Sequence, residues 1–159
     1  MENCTPCQIY EAKKGIIYED DLFFSVFNIH PDIPGQAGIF TKPHLVERED
    51  LFRYLNSEHV PFNPKKIKKT ILPVELDAMD DTFAEIQCIN LVGVYEQMIA
   101  NPIDARSAEA SRKMLQFLEL GKCIDDYTVS IKDKQNKNKW EKQGRTYDHL
   151  MWNLRPTYS

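Results

Sequence analysis

Between Gly144 and Pro156 the apolar residues fall at every second position, and this period constrains the fold more than any other feature of the chain. It predicts a strand, because successive side chains of an extended backbone point to opposite faces. His149, Met151 and Asn153 then share one face, and Leu150, Trp152 and Leu154 share the other. An apolar face backed by imidazole, thioether and amide groups describes a sheet edge lining a site. Taken alone, the run more often describes a half-buried strand carrying a stray histidine. What the rest of the chain brings to this strand decides between them.

More strand signals precede it. Ile16-Ile17-Tyr18 leads through the acidic turn Glu19-Asp20-Asp21 into Leu22–Ile29, rich in aromatic and β-branched residues. His30–Gln36 is a turn punctuated by Pro31, Pro34 and Gly35, and Ala37–Thr41 is a short apolar strand ended by Lys42-Pro43-His44. Gly35 and Gly38 beside so short a strand predict close backbone packing. Tyr127–Ile131 reads as a further strand, and Lys132–Gln143 as a solvated lysine-rich loop leading into Gly144. Its charge would steer a polyanion only modestly, since salt screens it.

The middle of the chain is helical. Leu51, Phe52 and Leu55 fall on one side of a helix over Glu47–Asn56. The basic stretch Asn63–Lys69 reads as a solvated loop. A long helix starts near Pro73, with Leu76, Met79, Phe83, Ile86 and Ile89 on one face. Another follows Pro102, carries Met114, Leu115 and Leu118, and ends at Gly121. Tyr95 and Met98 read as core residues, and Cys88 and Cys123 as buried or half-buried thiols.

At 159 residues the chain is long enough for one domain with a real core. Its formal charge of -4 excludes a general nucleic-acid binder, which carries a basic excess. No apolar run approaches the ~20 residues that span a bilayer, so no membrane partner is expected. The start Met1-Glu2-Asn3-Cys4 lacks the basic and apolar regions of a signal peptide, which predicts a cytoplasmic chain. In a reducing compartment Cys4-Thr5-Pro6-Cys7 reads as a metal clip or a redox motif rather than a disulfide. Two thiolates at this spacing are half of a tetrahedral zinc site, and a redox motif would open a helix within a βαβ pattern, which does not follow here.

Together these pieces resemble the histidine triad superfamily of nucleotide hydrolases and transferases. The likeness lies in the CxxC, in Ile17–Asp21, in Val26-Phe27-Asn28-Ile29 followed by Pro31, Pro34 and Gly35, in Lys42-Pro43-His44, and in the spacing from Gly144 to His149 with Pro156 beyond. It covers roughly the first 55 and last 30 residues; the helical stretch 73–121 has no clear counterpart and reads as an expanded region of a single domain spanning 1–159. The resemblance implies an α+β fold built on an antiparallel sheet, a homodimer, and a mononucleotide pocket on the sheet. It also implies a structural zinc site formed by Cys4, Cys7, His44 and His149.

By the same resemblance Asn28 would bond the ribose hydroxyls. Ile9, Tyr10, Val26 and Ile29 would line the base, and Met151 and Asn153 would complete the pocket. Thr146 would contact phosphate. Arg145 stands where the family has a glutamine. It suits phosphate as a forked donor and suits equally a surface pair with Asp148 or a loop carboxylate.

The family signature alternates three histidines with apolar residues; here it reads His149-Leu150-Met151-Trp152-Asn153-Leu154-Arg155. The family's middle histidine attacks phosphorus and carries the nucleotidyl group. Met151 offers a neutral thioether that cannot take up a proton, and Asn153 does not titrate near neutral pH. The expected function is therefore binding of a purine nucleoside phosphate or dinucleoside polyphosphate without the conventional hydrolysis, and with no catalytic residue at the signature. Two other readings stand beside it: an enzyme using His30, His59, Cys123 or the lysine loop, and a scaffold whose helical middle binds a protein.

Overall fold

The structure, a computed structural model, describes residues 4–55, 72–132 and 149–159. Within them the order is α1 (Thr5–Ala12), β1 (Ile16–Glu19), β2 (Phe23–Phe27), β3 (Ala37–Thr41), α2 (Arg48–Leu55), α3 (Pro73–Cys88), α4 (Leu91–Ala100), α5 (Ala105–Leu118), β4 (Ile124–Lys132) and β5 (Met151–Tyr158). The strands form one antiparallel sheet in the order β1-β2-β3-β5-β4. This is an α+β fold, as the sequence leads one to expect. The last strand lies inside the sheet, between β3 and β4, so both of its faces are available for burial.

Its two faces go to two cores. Trp152 and Leu154, with Leu150 just ahead of the strand, join Phe23, Ile39, Ile86 and Tyr95 in the larger apolar cluster. The Phe23 ring meets Trp152 edge-on at 5.5 Å. On the opposite face Met151 packs with Phe24, Val26 and Phe40, and Ile9, Tyr10 and Ile16 close over them. The pairings Val26↔Gly38 and Gly38↔Asn153, with Phe40↔Met151, line up this second face across three strands.

The expected close packing at the glycines is present. A Cβ on Gly38 would stand 2.8 Å from the Phe40 ring. Gly35 has φ +88, and a Cβ there would meet Ile86 at 3.1 Å and Pro156 at 3.2 Å.

The helices depart from the sequence pattern at informative places. On α3 the buried residues are Glu75, Ala78, Met79, Thr82 and Ile86, while Leu76 is 45% exposed. The stripe is turned toward polar positions because each has a partner. Arg48 donates to both oxygens of Glu75 at 2.9 Å, and Ser25 and Thr82 hydroxyls meet at 2.7 Å. Cys88 and Cys123 are exposed, contrary to expectation. Cys88 ends α3 off the buried stripe, and Cys123 precedes β4, pairing only its backbone with Ser159.

α4 is an added helix between the two that the sequence suggests. Its Tyr95 is buried, and the hydroxyl accepts the Gly35 N–H at 2.7 Å. α1 is likewise unannounced: the CxxC does open a helix, but antiparallel strands follow it rather than a βαβ unit. Residues 56–71, with the basic stretch Asn63–Lys69, and residues 133–148 lie outside the described residues.

Candidate metal centre and the adjoining sheet face

Cys4 is the N-cap of α1 and Cys7 lies in its first turn. Residues three apart on a helix share a side, and this end of a helix favours negative charge. Both sulfurs therefore face the same space. His44 comes from the loop after β3, and His149 immediately precedes β5, where the Leu150 N–H donates to the Leu45 carbonyl at 2.7 Å. That backbone bond holds the two histidine-bearing segments side by side, and their rings meet edge-on with centroids 4.8 Å apart.

One donor atom from each of Cys4, Cys7, His44 and His149 lies within 4.8 Å of every other. Cys4 Sγ is 3.3 Å from His149 Nδ1, Cys7 Sγ is 3.3 Å from His44 Nδ1, and Cys7 Sγ is 3.6 Å from His149 Nδ1. A tetrahedron with bonds of about 2.0–2.3 Å has edges of about 3.3–3.8 Å, so these spacings fit a Zn²⁺ ion. The second ring nitrogen supports this. His149 Nε2 donates to the Thr41 carbonyl at 2.8 Å, which fixes the tautomer and leaves the Nδ1 lone pair facing the sulfurs.

For His149 the electrostatics of the protein alone point the same way; for Cys7 they do not. Burial pulls the His149 imidazolium down to about 4, and the charges of His44 and Lys132 add to this against the Thr41 carbonyl. The ring is neutral, as a ligand must be. Burial pushes the Cys7 thiol up to about 12, with Cys4 adding to the rise. A divalent cation between the sulfurs reverses that balance by stabilising both thiolates. As ligands, two thiolates and two imidazoles would fill all four positions of a tetrahedral ion, the composition of a closed, structural centre.

α1, which carries the two cysteines, lies over the second sheet face. Ile9 and Tyr10 lie on α1, and the Tyr10 ring is tilted over Phe24 at 4.9 Å. Tyr10 donates to Glu19 at 2.9 Å, and Lys13 and Lys42 pair with that carboxylate at 3.3 and 3.0 Å. These contacts, Lys42 first, hold Glu19 down to about 2.

Beyond Met151 the face turns polar. Asn153 Oδ1 accepts from Asn28 Nδ2 at 3.2 Å and from Gln36 Nε2 at 3.3 Å. Met151 and Asn153 are both buried. Of the residues singled out in the sequence, the structure gathers Ile9, Tyr10, Val26, Asn28, Met151 and Asn153 on this face, while Ile29 is half-buried and in neither apolar cluster. Arg145 and Thr146 lie outside the described residues.

The structure also adds members. Gln36 joins the amide group, Thr41 supports His149, and Lys132 is buried at the end of β4 opposite Met151. Lys132 corrects the sequence reading, which put it at the start of the solvated loop: it continues the alternation of Thr128 and Ser130 as the last residue of β4 and is buried on their face. Gln36 and Thr41 left no signal, since their roles depend on backbone turns.

No family model and no curated protein matches the sequence. Solved structures do. The chain is similar to a zinc-bound histidine triad family protein from Mycobacterium smegmatis at 18% identity and TM-score 0.44, over 98% of this chain and 75% of that one. A histidine triad family protein from Bacillus anthracis matches at 18% identity and TM-score 0.46, over 99% and 75%. A histidine triad family hydrolase from Clostridium thermocellum matches at 18% identity and TM-score 0.43, over 99% and 92%.

Proposed function

We propose that the chain binds a purine nucleoside phosphate or dinucleoside polyphosphate on the sheet face beside the metal centre, and does not turn it over by attack from position 151. The observation that carries this reading is the convergence of three amides, Asn28, Gln36 and Asn153, next to the apolar patch of Phe24, Val26, Phe40 and Met151. A nucleoside needs both: an apolar surface for the base, and orienting hydrogen-bond groups for the sugar. Ile9 and Tyr10 form the wall of that surface, with Asn28 at the ribose end. Ile29 completes the base contacts, and Arg145 and Thr146, which lie outside the described residues, the phosphate contacts.

Zinc, held by Cys4, Cys7, His44 and His149, supplies rigidity rather than chemistry. It fixes α1, and with it Ile9 and Tyr10, against the sheet. Met151 has no proton to exchange and no stable bond to offer phosphorus, and Asn153 already spends its carbonyl oxygen on two amide donors. The same reading includes a homodimer, for which the outer side of β4, an edge strand among the described residues, is available. It also includes a single domain in which 73–121 is an expansion, and a cytoplasmic setting.

Calorimetric titration of the metal-loaded protein with AMP, GMP and diadenosine tetraphosphate tests the central claim. Saturable heat with at least one of them is expected, and absence of heat with all three overturns it. Incubation with diadenosine tetraphosphate should give no turnover above background, and light scattering should give twice the chain mass.

A further inference from the structure

The apolar floor of the proposed base site is covered in this structure. Phe24 is 0% exposed, Met151 1% and Phe40 4%, so no ligand reaches them unless something moves first. Ile9, Tyr10 and Ile16 pack over them. Of these three, Tyr10 is held differently. Its ring lies over Phe24 at 4.9 Å, while its hydroxyl donates to Glu19 at 2.9 Å in an exposed contact. Glu19 is the last residue of β1 and also pairs with Lys13 and Lys42. The Lys13 ammonium stands 3.5 Å from the centre of the Tyr10 ring. Lys13 is the left-handed cap of α1 at φ 54, and with Gly15 at φ +72 it turns the chain back so that β1 passes beside the helix. The ring is thus held over the floor from its tip, by surface contacts that are individually weak.

We infer that Tyr10 is a cover seated in the place of the nucleobase and latched by Glu19, and that a ligand gains the floor by displacing its ring. The inference rests on the proposed nucleotide reading and adds how entry to that site is controlled. A tyrosine ring on an aromatic floor makes the contact that a base would make in its place. Opening is the swing of one side chain, and α1 with Ile9 stays as the wall. The floor can receive a base only in the open fraction of molecules, so the apparent affinity is lower by that fraction. Glu19 is then a positioning residue. It touches no ligand and sets the affinity through Tyr10.

The test measures adenosine and AMP by calorimetry on the metal-loaded wild type, Glu19→Ala and Tyr10→Phe, which cut the latch from opposite ends. Each variant should bind adenosine about 3-fold or more tightly than wild type does, a direction that loss of structure does not take. Glu19→Gln, which keeps an acceptor for the Tyr10 hydroxyl, should fall between wild type and Glu19→Ala. Adenosine decides because it is uncharged. Glu19→Ala also frees Lys13 and Lys42, which would draw the phosphate of AMP whatever the cover does. The neutral dye Nile red, a probe of exposed apolar surface, should brighten with Glu19→Ala and Tyr10→Phe.

Adenosine binding that is unchanged or weakened in either variant overturns the inference, as does a gain confined to AMP, which would belong to the freed lysines. Should Tyr10→Phe fail to fold, Glu19→Ala, at an exposed position, decides by itself. Should wild type and both variants bind neither adenosine nor AMP, the nucleotide reading falls. Nile red then judges the cover alone: brightening in both variants supports it, and brightness equal to wild type in either overturns it.

Discussion

Glu75 occupies a position on α3 where an apolar side chain would be expected, and it stays there because Arg48 grips both of its oxygens in a buried pair. Removing one partner strands the other. Glu75→Gln or Arg48→Met should each cost about 3–5 kcal/mol in urea unfolding, whereas the double replacement Arg48→Met with Glu75→Leu should recover most of the loss. Asn153 is a smaller instance of the same logic. Asn153→Leu leaves the Asn28 and Gln36 donors short of an acceptor, so a loss of about 1–3 kcal/mol is expected. If the amide group orients the sugar, the same variant weakens AMP binding more than pyrophosphate binding. Gly35 is fixed by both φ and space, and Gly35→Ala should lower stability by about 1–3 kcal/mol in the same assay.

Among the elements, strands were easier to read than helices. Phe23–Phe27, Ala37–Thr41 and the run through Trp152 and Leu154 announce themselves by composition or alternation, and the cores they feed follow from those periods. The buried stripe of α3 could not be read, because Glu75 and Thr82 owe their burial to Arg48 and Ser25, which are distant in sequence. α4 was hidden by its nearly continuous apolarity, which carries little helical period. The metal set was legible as residue types, through the CxxC and two histidines; its support from the Thr41 carbonyl was not, because backbone groups leave no mark on sequence.

α5 carries its own acid sensitivity. Asp104 caps it, accepting the Ser107 N–H at 2.7 Å and pairing with His30. These contacts, the Ser107 N–H first, hold the Asp104 carboxyl below its ordinary 3.8. The cap's contribution is therefore complete above that pH and is lost as pH falls through and below it. Thermal melts should show Asp104→Ala lowering Tm at neutral pH, with the gap to wild type closing in stronger acid.

For the molecule as a whole, the metal centre decides how the two sheet faces relate. The larger core meets the centre through Leu45 and Leu150, the chain neighbours of His44 and His149, while α1, which carries the two cysteines, covers the smaller one. Elemental analysis should find about one zinc per chain. Chelation should lower Tm and weaken AMP binding together, and Cys7→Ser should do the same without a chelator. A chelated protein that keeps full Tm and affinity would separate the centre from the site. Among the described residues no helix is long and apolar enough to cross a membrane.

Cys4 and His149 are 145 positions apart, yet the metal would join them within a bond or two. The clip therefore turns an open chain into a ring enclosing nearly all of the fold. For a disulfide of that span, ring closure removes on the order of 5 kcal/mol of entropy from the unfolded chain. A single peptide-bond cut inside such a ring opens it without releasing either piece. A once-nicked, zinc-loaded protein should hence migrate as one particle in mild denaturant and part into two fragments only when a chelator is added.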